Sequence, residues 1–360
     1  MNPASVGIYI NYNTSHLLDN HLSTDFVTYR DNLDIFLKST HSQHIAVLTM
    51  FFFHDGWVNQ IEPLIARCNH VFIICTEVLP SIVDFIQKHD HHNVTYYLCG
   101  DLNFELKHGT VHQHMYWFDN TIDFYRNWLP ELLHRLSPFN TKKSNFDILL
   151  GTQKPHRDFV FRQATKNSGL HVLTYFKNLL NGSLLQQPEW EQHGVKIDHP
   201  PGYTVEMVEY YGRSISLSQI IPFKIYNQTA YSVVTESCIQ NHFSFFTEKI
   251  VKPIMARRLF VMFSGKGYLV NLRKLGFQTF DNIIDESYDS IDNNAERWQH
   301  AWNQVDWLNQ QPQELVLEKI RPIVEHNFSV MMNTDWYGIF RKQLTQNLVN
   351  VLVADVDSTD

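Results

Sequence analysis

Short runs of β-branched and aromatic residues alternate with longer amphipathic stretches through the first 140 residues, and no other feature limits the folding options of this chain as much. Val6–Ile10, Ile45–Phe53, Val71–Cys75 and Thr95–Leu98 have strand composition. Between the last two, Pro80–Lys88 sets Ile82, Phe85 and Ile86 on one helical face. A strand, a crossover helix and a second strand make a right-handed β-α-β unit, so the rhythm predicts an α/β layer.

A helix is expected from about Thr121 to Leu136, carrying Ile122, Phe124, Tyr125, Trp128, Leu132 and Leu133 on its apolar positions. It runs into Ser137–Asn145, the most loop-like segment of the sequence, which marks a domain boundary. The alternation then restarts with Phe146–Gly151, Ser232–Val234 and Leu259–Phe263 as strands and Tyr268–Leu275 as a helix closed by Gly276. The chain therefore reads as two α/β domains in tandem, residues 1–140 and 146–310, with a cleft between them. Residues 311–360 read as C-terminal helices, one marked by Leu315, Ile320, Ile323 and Val324 and another by Phe340, Leu344, Leu348 and Leu352, before an acidic tail from Asp355 to Asp360.

A net charge of −8 argues against a protein that wraps nucleic acid, because phosphate-backbone binding needs a broad basic surface. Cys68, Cys75, Cys99 and Cys238 have no paired spacing, which points to reduced, buried thiols rather than disulfides or zinc. Residues 1–5 carry no basic region leading into an apolar stretch, and no later run has the length of a membrane span. A soluble, cytoplasmic protein is the expectation.

Two segments can carry chemistry. In Thr247-Glu248-Lys249, Thr247 is a good helix N-cap, so Glu248 and Lys249 fall in a first turn whose free N–H groups and positive dipole end suit an anion. A lysine there opposes the dipole unless an anion is its intended neighbour, and Glu248 beside it can accept hydrogen bonds from ribose hydroxyls. Pro253 predicts that this helix is short or bent. The second segment, Gly151–Phe161, follows the first strand of the second domain and leads into a helix, the position at which open α/β sheets bind ligands. Arg157 there can fork onto a diphosphate, while His156 beside it is more often structural. For both segments the competing explanation is ordinary surface decoration, a capped helix with charged ends and an arginine paired to Asp158. Ser264-Gly265-Lys266-Gly267 is not a phosphate loop, because Phe260 and Gly267 stand where a glycine and a Ser or Thr are needed. The acidic run Asp285–Asp289 reads as solvated acids or a helix cap, with no metal expected, and His89–His92 as a polar turn.

Glu236-Ser237, Phe246-Thr247-Glu248-Lys249 and the loop around Arg157 together resemble the donor-binding domain of the α1,3-fucosyltransferases. Leu259–Phe263 matches the strand that follows their motif helix, and the likeness spans residues 146 to 280. The resemblance implies a GT-B fold, in which two Rossmann-like domains face each other, and metal-independent, inverting transfer from a GDP-sugar, a fucose-like one among the candidates, to a glycan or other hydroxyl acceptor. Carried over by motif, Arg157 and Lys249 hold the diphosphate, Glu248 the ribose, and Phe246 takes the place of an aromatic lying against the nucleotide. Ser237 stands for the family's asparagine and the Glu236-to-Glu248 gap is two residues longer, departures that leave GDP and UDP both open.

Glycosyl transfer needs charge stabilised on the leaving diphosphate, which preplaced cations provide, and a base for the acceptor hydroxyl. Asp55, Glu77 and Asp101 each follow an expected strand of the first domain and are the candidate bases, with Glu77 favoured. Trp57, Tyr116 and Trp117 can stack on sugar rings or simply fill the core. The alternative from another class is a non-catalytic nucleotide- or glycan-binding protein on the same scaffold.

Overall fold

The computed structural model describes residues 6–11, 27–52, 55–77, 80–151, 153–166, 171–174, 195–196, 207–216 and 219–354, and the chain forms two compact units, residues 1–116 with 335–360 and residues 117–334. In the first unit the strands β1 (Val6–Ile10), β2 (Val27–Arg30), β3 (Gln43–Phe52), β4 (His70–Glu77), β5 (Val94–Leu98) and β7 (Thr110–Gln113) form a sheet in the order β2-β1-β3-β4-β5-β7; a short strand β6 (Gly100–Leu102) precedes β7. Every pairing in that sheet is parallel. Near-continuous apolar runs such as Val71–Cys75 suit strands covered on both faces. The helices α1 (Leu33–Lys38), α2 (Asp55–Arg67) and α3 (Pro80–Lys88) lie between strands of this sheet in the chain. Asn11, just past β1, ties that strand's end to β3 by donating to the Thr49 carbonyl at 2.8 Å and accepting its N–H at 3.0 Å.

The second unit starts within α4 (Tyr116–Asp123) and is built on a four-stranded sheet of β8 (Ser144–Leu150), β9 (His171–Thr174), β13 (Thr229–Thr235) and β15 (Phe260–Phe263). The order is β15-β13-β8-β9, again parallel throughout. Its helices include α5 (Pro155–Ala164), α6 (Phe223–Gln228), α7 (Glu248–Met255), α8 (Tyr268–Lys274), α9 (Asn294–Asn309) and α10 (Gln313–Asn333). A separate antiparallel ribbon of β10 (Val195–Lys196), β11 (Met207–Tyr210) and β12 (Arg213–Ser216) turns through Tyr211 and Gly212, both at positive φ as a two-residue hairpin of matching twist requires. The short β14 (Phe243–Phe245) leads into α7. Among the described residues no helix is long and apolar enough to cross a membrane.

Three expectations are corrected. The helix over 121–136 breaks into α4, a π turn at Phe124–Trp128 and a 3-10 segment at Pro130–Arg135. Pro130 has no N–H to continue an α-helix and disfavours helical geometry in the residue before it; Leu129 accordingly sits at φ −138°. These pieces belong to the second unit, where the Tyr125 hydroxyl accepts the Ile221 N–H at 2.7 Å, so the chain passes between units at Tyr116 and Trp117 rather than at 137–145. Nor do the C-terminal helices form a segment of their own. α10 packs on α7 in the second unit, with Arg257 paired to Glu325 at 2.8 Å, whereas α11 (Trp336–Ala354) closes the first unit's core with Phe340, Leu344 and Leu348 against Val6, Ile8, Ile45 and Phe72. Leu315 is exposed; the inward face of α10 is Val316, Leu317, Ile320, Ile323 and Val324. The acidic tail lies outside the described residues.

One buried network fixes β8 against β13. Arg258, two residues before β15, pairs with Asp147 of β8 at 2.7 Å and donates to the Ser232 hydroxyl and to the carbonyls of Tyr226, Thr229 and Tyr231. Asp147 also accepts the Ser232 hydroxyl at 2.8 Å. Both members of the ion pair are buried, so removing one leaves an uncompensated charge in the interior. Arg258→Met is therefore expected to cost about 3–5 kcal/mol, with Arg258→Lys recovering only part because one ammonium cannot serve the same spread of acceptors. Urea unfolding of the three proteins measures this, and a loss below about 1 kcal/mol for Arg258→Met would contradict it.

Candidate functional site

Strand order puts the second unit's ligand position in one place. The chain leaves β8 toward β9 on one side and later enters β13 on the other, so β8 and β13 flank the topological switch point, where loops diverge and open a crevice at the strands' carboxyl ends. Val233 lies opposite Ile148, which brings Thr235 and Leu150 level where the two strands finish. The residues that follow them are those singled out by sequence: Gly151 to Arg157 after β8 and Glu236-Ser237 after β13.

Glu236 is the hub. Its N–H reaches the Phe263 carbonyl at the end of β15 (3.1 Å). Its own carbonyl accepts from His156 Nε2 at 2.8 Å and Arg157 Nη2 at 3.4 Å. Its carboxylate is fully buried and accepts from the Ser237 N–H (3.0 Å), the Thr247 N–H (3.2 Å) and hydroxyl (2.7 Å) and the Tyr268 hydroxyl (3.0 Å). Burial drives this carboxyl above its usual range, an effect the nearby Lys249 charge works against.

Thr247 then caps α7 as expected: having donated its hydroxyl proton to Glu236, it accepts the Lys249 N–H at 3.2 Å. Glu248 and Lys249 occupy the first turn and pair with each other at 2.6 Å, the carboxylate buried and the ammonium end half-buried. Burial raises the Glu248 carboxyl, but Lys249 and Lys252 outweigh it and hold the group below its ordinary range. Lys252, one turn on, is pushed down to about 8 by burial, against the pull of Glu248. Pro253 cannot donate to the carbonyl a turn earlier, and α7 ends two residues later with Arg257 in the left-handed region at φ +55°.

Arg157 is buried, lies against Gly151 and donates to the carbonyls of Thr235 (3.2 Å) and Glu236. Its electrostatic neighbours are Glu236 and Glu248. His156 is a structural group: its Nε2 can only donate to the Glu236 carbonyl, which fixes a neutral tautomer, and burial beside Arg157 pushes it down to about 3. Phe246 is corrected to a core ring, fully buried against Tyr268 at 5.0 Å and Phe118 at 6.1 Å, with no face to offer a nucleotide.

Two members were missed by sequence reasoning. Lys154 donates to the Ser237 carbonyl at 2.6 Å, joining the β8 loop to the β13 loop, and contributes with Lys249 and Arg157 to the positive field at His156. Its place inside the Gly151–Arg157 loop was the available signal. Tyr268, the first residue of α8, carried none, since only the fold brings it to Glu236. The acidic run is structural. Asp289 caps α8 through the N–H groups of Leu269 and Val270, and Glu286 is buried against Arg273, Thr279 and the Phe280 N–H. Lys266 of the rejected phosphate loop pairs with Asp292 at 2.8 Å.

In the first unit, Glu77 ends β4 half-buried, opposite Phe52 of β3, and Asp101 sits half-buried in β6. Asp55 opens α2, and its side chain lies outside the described residues. No protein-family model matches the chain, and no curated protein does.

His156 links the site to pH. Its folded pKa lies below its unfolded value near 6.5, so the stability it supports is complete above pH 6.5 and is lost as pH falls toward about 3, where the unfolded chain takes up a proton that the folded one refuses. That is about 1.4 kcal/mol per pH unit from this residue. His156→Gln keeps a donor for the Glu236 carbonyl but cannot titrate. Between pH 6.5 and 4.5 the variant should lose about 2–3 kcal/mol less stability than wild type, and parallel slopes in chemical denaturation would refute the assignment.

Proposed function

We propose that the second unit is the donor-binding half of a glycosyltransferase and holds the diphosphate of a nucleotide sugar at the β8/β13 switch point. The observation that carries this reading is the gathering of Lys154, Arg157 and Lys249, from two separate strand-loop-helix junctions, around the buried Glu236. A first turn of α7 with its capping threonine in place adds the dipole's positive end. Two units built on parallel sheets are the components of a GT-B enzyme, which supports the two-domain reading.

In this proposal Lys249 meets the diphosphate directly and stabilises the charge that builds on the leaving group, in place of a metal. Arg157 is turned toward backbone carbonyls, so it adds its charge to the local field rather than a bidentate grip. Glu248 accepts the ribose hydroxyls. The donor is a GDP-sugar, with UDP the other candidate nucleotide. A carboxylate removes the acceptor's proton as the hydroxyl attacks the anomeric carbon with inversion; Glu77 is the leading candidate beside Asp101 and Asp55.

Thermal-shift screening against GDP, UDP, CMP and their sugars should single out one nucleotide, and a shift with none of them would count against a donor site. Lys249→Ala should then weaken that nucleotide by about 10- to 100-fold in calorimetry, the usual worth of a hydrogen bond to a charged group. Unchanged affinity would sink the assignment. Tight nucleotide binding with no sugar released or transferred would favour a non-catalytic binding protein.

A further inference from the structure

Within the proposed site the cation and the carboxylate already satisfy each other. Lys249 Nζ stands 2.6 Å from Glu248 Oε1, and the two side chains differ in freedom, with 26% of the lysine exposed against 6% of the glutamate. The ammonium is therefore the member that can swing away, and the carboxylate is the member that must stay. An anion that draws Lys249 off leaves the buried Glu248 without its hydrogen-bonded cation and with Lys252 as its remaining positive neighbour, a costlier state in the interior. It also places a second negative group beside the first. A ligand that brings hydroxyl donors together with its anion removes the first cost, because those hydroxyls take over the carboxylate that the ammonium vacates.

We infer that Glu248 is a specificity-determining residue that releases Lys249 only to ligands presenting ribose-like hydroxyls with their phosphates, so that the site takes nucleoside diphosphates and discriminates against free phosphate and pyrophosphate. The inference rests on the donor-site reading and adds a selection rule to it. Glu248 lowers the affinity for bare anions while raising it for nucleotides. A residue that merely contacts ribose would only raise the second, and a residue that merely stabilises the helix start would change both in one direction.

Calorimetry of the full chain with GDP, UDP and pyrophosphate separates these cases. Glu248→Gln should bind pyrophosphate about tenfold more tightly than wild type and the preferred nucleotide about tenfold more weakly. Since a substitution at a buried carboxylate can impair folding, the wild-type protein supplies an independent reading: pyrophosphate should bind about tenfold more tightly with guanosine present for a GDP site, or uridine for a UDP site. Nucleotide binding by wild type with no nucleoside-pyrophosphate synergy, or a variant that loses or keeps both ligands together, overturns the inference and leaves the donor reading standing. Wild type that binds neither GDP nor UDP removes the donor reading and the inference with it.

Discussion

The buried carboxylate of Glu236 is the contact on which the second unit's ligand end depends. A carboxylate taken fully out of water is tolerable only when its lone pairs are filled, and here the Ser237 N–H, both donors of Thr247 and the Tyr268 hydroxyl fill them. Those donors stand at the edges of elements: Ser237 lies in the loop after β13, Thr247 caps α7, and Tyr268 opens α8. One side chain thus sets where two helices begin relative to the sheet. Through its carbonyl the same residue also receives α5, by way of His156 and Arg157.

That arrangement explains why the charges at the switch point are held at different depths. Arg157 is sunk and turned onto carbonyls, so its guanidinium has a fixed place and no need of a ligand to stay there. Lys249 sits higher, hydrogen-bonded to the Glu248 carboxylate. A fixed deep charge with a movable shallow one gives a standing positive field together with a group able to change partners, and Lys154 adds to that field from the opposite loop.

Much of the layer structure was legible because it is local. β1 and α3 fall where composition and periodicity place them, and the Thr247 cap was readable from one residue type before a helical pattern. What escaped was set by distance along the chain. Within residues 121–136 the apolar period points to one helix, and Pro130 breaks it, because a missing N–H outweighs periodicity in the folded chain. The parting of α10 from α11 was invisible for another reason. Both helices show a good apolar face, and a face does not say which sheet it meets. Phe246 shows the same limit at the site. The family resemblance implied a ligand-facing ring there, while its actual neighbours, Phe118 and Tyr268, come from elements far away in sequence.

The β8 and β13 pair is secured at two levels by unlike means, and the contrast bears on how the site can work. Toward the start of β13, Arg258 and Asp147 form an ion pair whose remaining donors and acceptors are spent on β13 and on α6 before it. At the far end, Glu236 has hydroxyl and backbone donors but no direct ion pair among its hydrogen-bond partners in the described residues. Positive charge reaches it at longer range from Lys249, Arg157 and Lys252, and Lys249 is hydrogen-bonded to another carboxylate. The first network is closed and rigid. The second holds a buried carboxyl with its positive neighbours one step removed, so moving Lys249 alters the electrostatics of the whole helix-terminus cluster without breaking the hydrogen bonds from Ser237, Thr247 and Tyr268.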